Sequence, residues 1–522
     1  MNRTAIALLA LAATAASAQN LTQTYQPAAT RILNAAATDT DGYAALAYLC
    51  DHIGKRNSGS PELQTAVQWG ADLMRKAGLQ NVTIQPAMVP HWVRGSESAA
   101  LITPIAKPLH MLGLGMSVST PREGITAEVI FLPDFAALDA TPAEKIRGKI
   151  VVINPGWHGY GVNSQYRVFG ASRVAAKGAV AYLVRSATGL AEQTPHTGTL
   201  VYDDKQPKIP AAALSPEDAL LIERLSKEAP VKIHLQMEAH MEADVKSGNV
   251  IGEIPGSEHP EQVVVLGGHI DSWDVGQGAQ DDGSGMIGAF EAVSLIHKLG
   301  LHPKRTIRVV FWVNEETGGA GGRAYRDALS PAQLANHVAA IEMDGGAERP
   351  LGFSYGSGIS NGRPRRSAGA NPQGSAPPAG SLAAGAPQTN PGNAFLTGAF
   401  ATIAANQNAR ADFDETKLPE DQQKSFAILH QIAALLEPIK ANTVSPGGGG
   451  SDIGPITSLG VPSLSPRTTG EHYFDWHHTE ADTLDKVDPE DFRKNIALLS
   501  VLSYVLADMP GQLAGQKSNN PE

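Results

Sequence analysis

The stretch GGHIDSWDVGQGAQDDGSG, residues 267–285, joins an apolar run to a helical pattern. The apolar run at 263–266 predicts a buried strand, and the spacing over 286–299 predicts a helix. Because side chains alternate along an extended chain, we expect His269 and Asp271 to project to the same side. A strand followed by a glycine-rich loop and a helix is typical of α/β proteins.

The polar residues of this stretch can carry chemistry, although each has an ordinary alternative. A metal-bound His269 would need a partner for its second ring nitrogen, and Asp271 is placed to supply it. Taken alone, such a triplet more often contains a surface histidine. The Asp281-Asp282 pair can be a turn and a helix cap, or Asp281 can bridge two metal ions about 3.5–4 Å apart.

Two further apolar strands, predicted at 306–313 and 338–343, also end in acidic residues. Glu315 and Glu316 follow the first, and Asp344 follows the second. Adjacent carboxylates are costly unless their tasks differ, which favours Glu316 as a metal ligand and Glu315 as the base that accepts a proton from water. The ordinary alternative is a solvated helix start for the pair and a turn for Asp344.

His478, within the segment HHTEADT at 477–483, is the fifth candidate ligand. Apolar strands that alternate with helices predict an α/β fold with a mostly parallel central sheet covered by helices. Such sheets place their sites at the carboxyl ends of the strands, which favours one joint site over several unrelated turns. Two histidines and three carboxylates without cysteine suit Zn²⁺.

The domain organisation follows from changes in pattern along the chain. Residues 124–241 have their own strand and helix alternation and lack candidate ligands, so we interpret them as an inserted αβ unit. A segment rich in Gly, Pro, Ala and Ser at about 360–393 predicts a surface insertion. The predicted parts are a signal peptide at 1–18, the first part of the main domain at 19–123, the inserted unit at 124–241, the rest of the main domain at 242–511, and a polar tail at 512–522 that we expect to fray.

Composition excludes some partners and indicates export. The net charge is −11 over 522 residues, and no Lys/Arg cluster is dense enough to bind a phosphate backbone, so a nucleic acid partner is not expected. Arg3, the apolar run 5–16 and the Ala16-Ser17-Ala18 site predict a signal peptide cleaved after Ala18, and hence a secreted or periplasmic protein. No later run predicts a membrane span. The single Cys50 predicts a buried apolar side chain and no internal disulfide.

Taken together, these motifs resemble the M28 family of co-catalytic zinc peptidases. The resemblance rests on the order of the motifs already quoted and extends from about residue 49 to 509. Supporting stretches are PHW at 90–92, GITAEV at 124–129, PHTG at 195–198, PKIP at 207–210 and YVLADM at 504–509.

The resemblance implies a zinc exopeptidase fold and two Zn²⁺ ions. His269 and Asp344 would hold one ion and Glu316 and His478 the other, with Asp281 bridging and Glu315 as the base. Residues 124–241 would be a protease-associated domain that covers the active site.

The substrates implied by the resemblance are dipeptides or short peptides with free termini, cleaved in a dipeptidase or carboxypeptidase manner. An aminopeptidase and a receptor-like binding protein without catalysis stay open as alternatives, as does a homodimer. The insertion at 360–393 and the loop at 446–452 depart from the family pattern, and either could line the substrate site.

Overall fold

The computed structural model describes residues 20–356 and 413–515 and contains two eight-stranded sheets. The strands are β1 (Gln80–Val93), β2 (Glu97–Thr103), β3 (Lys107–Leu109), β4 (Met111–Gly113), β5 (Ile125–Leu132), β6 (Ile150–Ile153), β7 (Ala181–Arg185), β8 (Ala211–Leu214), β9 (Lys232–Met237), β10 (His240–Ile254), β11 (His259–His269), β12 (Arg305–Trp312), β13 (His337–Glu342), β14 (Pro350–Tyr355), β15 (Thr443–Pro446) and β16 (Ser463–Thr468).

Helices flank both sheets. Within the described ranges they are α1 (Leu21–Ala37), α2 (Asp41–Tyr48), α3 (Pro61–Lys76), α4 (Phe135–Ala140), α5 (Ala143–Ile146), α6 (Tyr160–Ala175), α7 (Pro216–Glu228), α8 (Ser284–Lys298), α9 (Ala320–Asp327), α10 (Pro331–Ala335), α11 (Glu420–Ala434), α12 (Gly454–Thr457), α13 (Tyr473–Trp476) and α14 (Pro489–Asp508).

The first sheet has the order β1-β10-β12-β11-β13-β16-β14-β15. Its centre, from β12 through β11 and β13 to β16, is parallel, whereas β1 and β10 add an antiparallel flank. The predicted α/β fold with a mostly parallel, helix-covered sheet is therefore confirmed. The three strands predicted from apolar runs are β11, β12 and β13, each close to its predicted position.

Burial on both faces fixes the register of β11. Val264 and Leu266 belong to the core beneath α8 and α14, while Val263 and Val265 pack on the opposite face with Tyr325 of α9. Each buried aliphatic side chain contributes about 1.5–3 kcal/mol, and a slip of one residue would exchange the two faces. Packing thus sets where the strand ends, at a position paired with Trp312 of β12.

The second sheet has the order β3-β2-β9-β5-β6-β7-β8-β4; we call residues 97–237, which form it, the second unit. The unit predicted at 124–241 omits β2, β3 and β4, which lie before residue 124. Proline and glycine make this segment look like separate extended pieces. β2 pairs with β9 about 135 residues later, and β4 pairs with β8 about 100 residues later, and local sequence patterns do not report such pairing.

The predictions for the ends of the chain and for the low-complexity segment have different outcomes. The predicted signal peptide at 1–18 and the insertion at 360–393 lie outside the described residues. The first tail residues pack rather than fray, since Leu513 is buried and the backbone N–H of Ala514 donates to Ser425 Oγ at 2.8 Å. Cys50 is buried and unpaired, as predicted. Across 20–356 and 413–515, no helix combines the length and apolar character that crossing a membrane requires.

Candidate metal centre

Three parallel strands deliver polar residues to one edge of the first sheet. His269 is the last residue of β11, Glu315 and Glu316 follow the end of β12, and Asp344 follows the end of β13. Because these strands are parallel neighbours, their carboxyl ends lie together, as sequence analysis assumed.

Asp281 lies at the centre of this group. Its Oδ1 is 3.2 Å from His269 Nε2, and its Oδ2 is 3.2 Å from His478 Nε2. His478 Nε2 is also 3.1 Å from Glu316 Oε2, and His269 Nε2 is 3.7 Å from Asp344 Oδ1. The structure therefore brings together all five residues that the sequence indicated as ligands.

The electrostatic state of these atoms fits bound cations. His269 Nε2, Asp281 Oδ2 and Glu316 Oε1 are buried and have no hydrogen-bond partner in the part of the chain that the structure describes. Unpaired buried acceptors are costly. Donors about 2.0–2.1 Å from a tetrahedral zinc ion would be separated by about 3.3 Å, close to the observed spacings. Burial also raises the pKa of Glu316 to about 6, and the nearby Asp281 adds to the rise.

The role predicted for the Asp271 side chain needs correction. His269 Nδ1 donates to the backbone oxygen of Asp271 at 2.9 Å, whereas the carboxylate is 3.9 Å away. The carboxylate instead accepts the N–H groups of Glu315 (3.0 Å) and Glu316 (3.3 Å) and the Ser58 hydroxyl (3.2 Å). Since β11 ends at His269, the alternation of an extended strand does not continue to Asp271. Its carboxylate holds the turn after β12.

Asp282 completes the loop that carries the site. Its Oδ2 accepts the backbone N–H of His269 at 3.0 Å, and its Oδ1 accepts that of Gly285 at 3.2 Å. A Cβ at Gly268 would overlap Asp282 Oδ2, so glycine is needed where the strand passes this carboxylate. Asp282 thus bonds the first turn of α8, whose N-cap residue is Gly283, and Asp281 faces the site.

Glu315, the predicted base, lies beside the five candidate ligands with part of its side chain exposed. Desolvation of its carboxyl raises the pKa well above the ordinary glutamate value; His269 opposes the rise, and Asp344 and Glu316 add to it. Asp452 lies nearby with both carboxylate oxygens buried and unpartnered among the described residues, and burial likewise raises its pKa.

His477 and His478 form an unusual pair. His478 has a left-handed backbone, with φ of 63°, and the two rings stack at 3.5 Å between centroids. His477 Nε2 is 3.4 Å from Asp281 Oδ2, so it too borders the site, although sequence analysis had selected only His478. A left-handed non-glycine residue costs about 1–2 kcal/mol.

Hydrogen bonds from the second unit hold this pair. His478 Nδ1 donates to the Thr197 carbonyl at 3.2 Å, and the Thr197 N–H donates to the His478 carbonyl at 3.0 Å. His196 Nδ1 donates to the His477 carbonyl at 2.8 Å. At about 0.5–1.5 kcal/mol each, three such bonds offset the cost of the left-handed turn.

One supporting residue, Asp482, gave no recognisable signal in the sequence. Asp482 accepts the N–H groups of Gln280 (2.7 Å) and Asp281 (3.1 Å), which fixes the central carboxylate. Burial raises the pKa of Asp482 to about 7, and the nearby Asp281 adds to the rise. Asp482 lies four residues after His478, but acidic residues this close to a ligand are common on surfaces, so spacing alone did not identify it.

Comparison with known proteins identifies the family. The model of "Peptidase family M28" matches residues 249–390. Human carboxypeptidase Q is 36% identical over 472 residues, which cover 90% of this chain and 86% of that protein. The crystal structure of a peptidase M28 precursor from Shewanella amazonensis superimposes with a TM-score of 0.78 at 29% identity, covering 94% of this chain and 98% of that one.

A more distant structure shares the fold alone. A zinc aminopeptidase from Bacillus subtilis superimposes with a TM-score of 0.59 at 18% identity, covering 91% of this chain and 97% of that one. The extended similarity to carboxypeptidase Q and the match to the family model agree with the resemblance inferred from the motifs. The chain belongs to peptidase family M28.

Proposed function

We propose that this protein is a zinc-dependent exopeptidase that hydrolyses dipeptides or short peptides with free termini, in a dipeptidase or carboxypeptidase manner. The observation that carries the proposal is the convergence of five candidate ligand side chains on one sheet edge, three of them with a buried donor atom that has no hydrogen-bond partner among the described residues. The 36% identity with carboxypeptidase Q over 90% of the chain supports the substrate class.

The distances support two metal positions that share Asp281. One position would use His269 and Asp344, and the other would use Glu316 and His478. Asp281 fits a bridging role because its two oxygens face different histidines, each at 3.2 Å. Both histidines have Nδ1 near a backbone carbonyl, which leaves the Nε2 lone pair free for a metal.

When bound, the zinc ions would polarise the scissile carbonyl and make water more acidic. The residues of the chain then supply the proton transfer and the positioning. Glu315 accepts the proton of the attacking water and returns it to the leaving amine. Asp271 holds the N–H groups of Glu315 and Glu316, so the base and a ligand keep a fixed spacing. Asp482 accepts the backbone N–H of Asp281 and so fixes the position of that residue.

An aminopeptidase is the second candidate, because the B. subtilis zinc aminopeptidase has the same fold. Blocked dipeptides separate the two activities. A carboxypeptidase would cleave N-acetylated dipeptides, an aminopeptidase would cleave C-amidated ones, and a dipeptidase would cleave neither. We expect cleavage of free or N-acetylated dipeptides that a chelator abolishes and added zinc restores. Cleavage of the C-amidated dipeptides without cleavage of the N-acetylated ones would contradict the proposal.

The assignment of the base has its own test. Glu315→Gln should lower kcat by at least about 10²–10⁴-fold, while metal analysis still finds two zinc ions per chain. Glu261→Gln, an exposed acid at the start of β11, is the matched control and should keep full activity. A zinc-loaded Glu315→Gln protein with normal turnover would remove Glu315 from this role.

Export and the covering unit complete the proposal. Cleavage of a signal peptide after Ala18 would give an exported protein whose N-terminus is Gln19, as N-terminal sequencing of the secreted or periplasmic material would show. The second unit would correspond to a protease-associated domain. Its support is the hydrogen bond between Thr197 of this unit and His478, one of the five candidate ligands.

A further inference from the structure

We propose that the segment Pro195–Gly198 of the second unit, the PHTG segment, positions His478, the candidate zinc ligand that follows α13, with His196 as its main side-chain contact. The inference rests on the proposed function, because it takes His478 as a zinc ligand. It assigns His196 the role of a positioning residue for one of the two metal positions.

The contacts between the two segments are paired residue by residue. Thr197 exchanges two hydrogen bonds with His478, one to the ring and one to the backbone carbonyl. His196 contacts the preceding residue, donating from Nδ1 to the His477 carbonyl. His196 and Thr197 of the second unit thus bind the consecutive residues His477 and His478, and His478 is the residue with a left-handed backbone.

The PHTG segment is itself held by other parts of the second unit. The His196 N–H donates to Ser186 Oγ at 2.8 Å, just after β7. Thr197 Oγ1 donates to the Gly113 carbonyl at 2.7 Å. His196 is only 2% exposed, so these contacts are internal to the protein and not a loose surface apposition.

A second contact bonds this region to the loop that follows His269. Arg94 Nη1 donates to the same Gly113 carbonyl at 2.6 Å. The Arg94 guanidinium also binds both oxygens of Asp274, at 2.7 and 2.6 Å. Asp274 lies five residues after His269, so the region that holds His478 is bonded to the loop of the other histidine ligand. The distance between His478 and the ligands near His269 is therefore set through the second unit.

The consequence is that metal affinity depends on a residue that binds no metal. Removing the Nδ1 donor of His196 frees the His477 carbonyl and loosens the left-handed turn that follows it, so the His478 ring keeps its bond to the Thr197 carbonyl but its direction is less firmly fixed. Loss of a residue that orients a ligand typically weakens metal binding about 10–100-fold. The position held by His269 and Asp344 should keep its affinity.

The test compares three variants of the full-length zinc protein. His196→Leu removes the donor, His196→Asn places an amide N–H where Nδ1 stood, and His234→Leu removes an imidazole of β9 that contacts Thr126. Chelator competition measures both zinc affinities, and the visible spectrum of the Co²⁺-substituted protein reports ligand geometry. Steady-state assays separate kcat from KM.

We expect His196→Leu to weaken one zinc about 10–100-fold and to change the Co²⁺ spectrum, with kcat reduced more than KM is raised. His196→Asn should recover most of the affinity, and His234→Leu should match the wild type. Two zinc ions bound to His196→Leu with wild-type affinity would overturn the proposal, as would equal losses in the leucine and asparagine variants.

A folding defect would not hide the answer. Should the His196→Leu protein fail to fold, His196→Ala adds no bulk and gives the same comparison with His196→Asn. A wild-type protein that binds fewer than two zinc ions would instead contradict the proposed two-zinc function, so the two failures are distinguishable.

Discussion

Asp271→Ala removes the acceptor that two consecutive backbone N–H groups share beyond the end of β12. The Asp271 side chain is fully buried, and its carboxylate accepts Glu315 N–H at 3.0 Å and Glu316 N–H at 3.3 Å. A hydrogen bond to a charged acceptor contributes about 1.5–3 kcal/mol, and these are of ordinary length. Burial raises the pKa of Asp271, so removing the carboxylate also relieves a desolvation cost. The expected net loss is about 2–4 kcal/mol in the free energy of unfolding.

Urea unfolding of the metal-free protein, followed by tryptophan fluorescence, measures this loss. Asp271→Asn retains one acceptor oxygen and should lose about half as much. Ser58→Ala removes only the hydroxyl bond and should cost about 0.5–1.5 kcal/mol. In the zinc protein, Asp271→Ala should also lower kcat, because Glu315 and Glu316 both move. An Asp271→Ala protein as stable as wild type, or an asparagine variant equal to the alanine variant, would refute the reasoning.

Three further predictions concern buried groups around the site. Burial raises the pKa of Asp452, so the folded state loses stability as pH rises above about 4, the pKa of an aspartate in the unfolded chain. Asp452→Asn should therefore raise the melting temperature at pH 8 and raise it less at pH 5. An equal gain at both pH values would contradict this. Asp482→Ala removes the acceptor of two backbone N–H groups, those of Gln280 and Asp281, and should weaken zinc binding about 10–100-fold in chelator competition. Gly450→Ala places a Cβ against the carboxyl carbon of Glu342 and should cost about 1–3 kcal/mol, whereas Gly454→Ala, which meets nothing, should leave thermal unfolding unchanged.

Three of the five candidate ligands, His269, Glu316 and Asp344, could be predicted from sequence because each lies at or soon after the end of an apolar strand. Asp281 and His478 lie outside strands, and their selection rested on the joint order of the motifs. β11, β12 and β13 contain apolar runs, and a polar residue closely follows each run. Its position in the chain therefore implies its position on the sheet edge. The antiparallel flank was not predictable in the same way. β1 pairs with β10, about 160 residues later, and nothing local in either strand indicates its partner. The same reason hid β2 to β4 from the second unit.

The role of Asp271 shows where a local rule stops applying. The expectation that its carboxylate would meet the His269 ring assumed an extended chain over three residues, and β11 ends at the first of them. Once the chain bends, the nearest acceptor for the ring is the backbone carbonyl of Asp271, and the carboxylate is free to accept the N–H groups beyond β12. The residue type was informative, but its partner depended on where packing stops the strand.

The segment RNSGS at 56–60, a polar run typical of a turn, shows why a polar segment cannot be assigned to solvent from composition alone. Arg56 is fully buried and donates to the carbonyls of Ile270, Gln277 and Gly278, in the irregular loop between β11 and α8. Within the described residues the carbonyls of Ile270 and Gln277 accept no backbone N–H group, and buried carbonyls need donors. A guanidinium supplies several donors from one side chain, so it can hold such a loop where water is excluded. A polar turn motif therefore indicates either an exposed turn or a partner for another irregular segment. The number of unpaired backbone groups in the facing loop decides between them, and that number is a property of the fold.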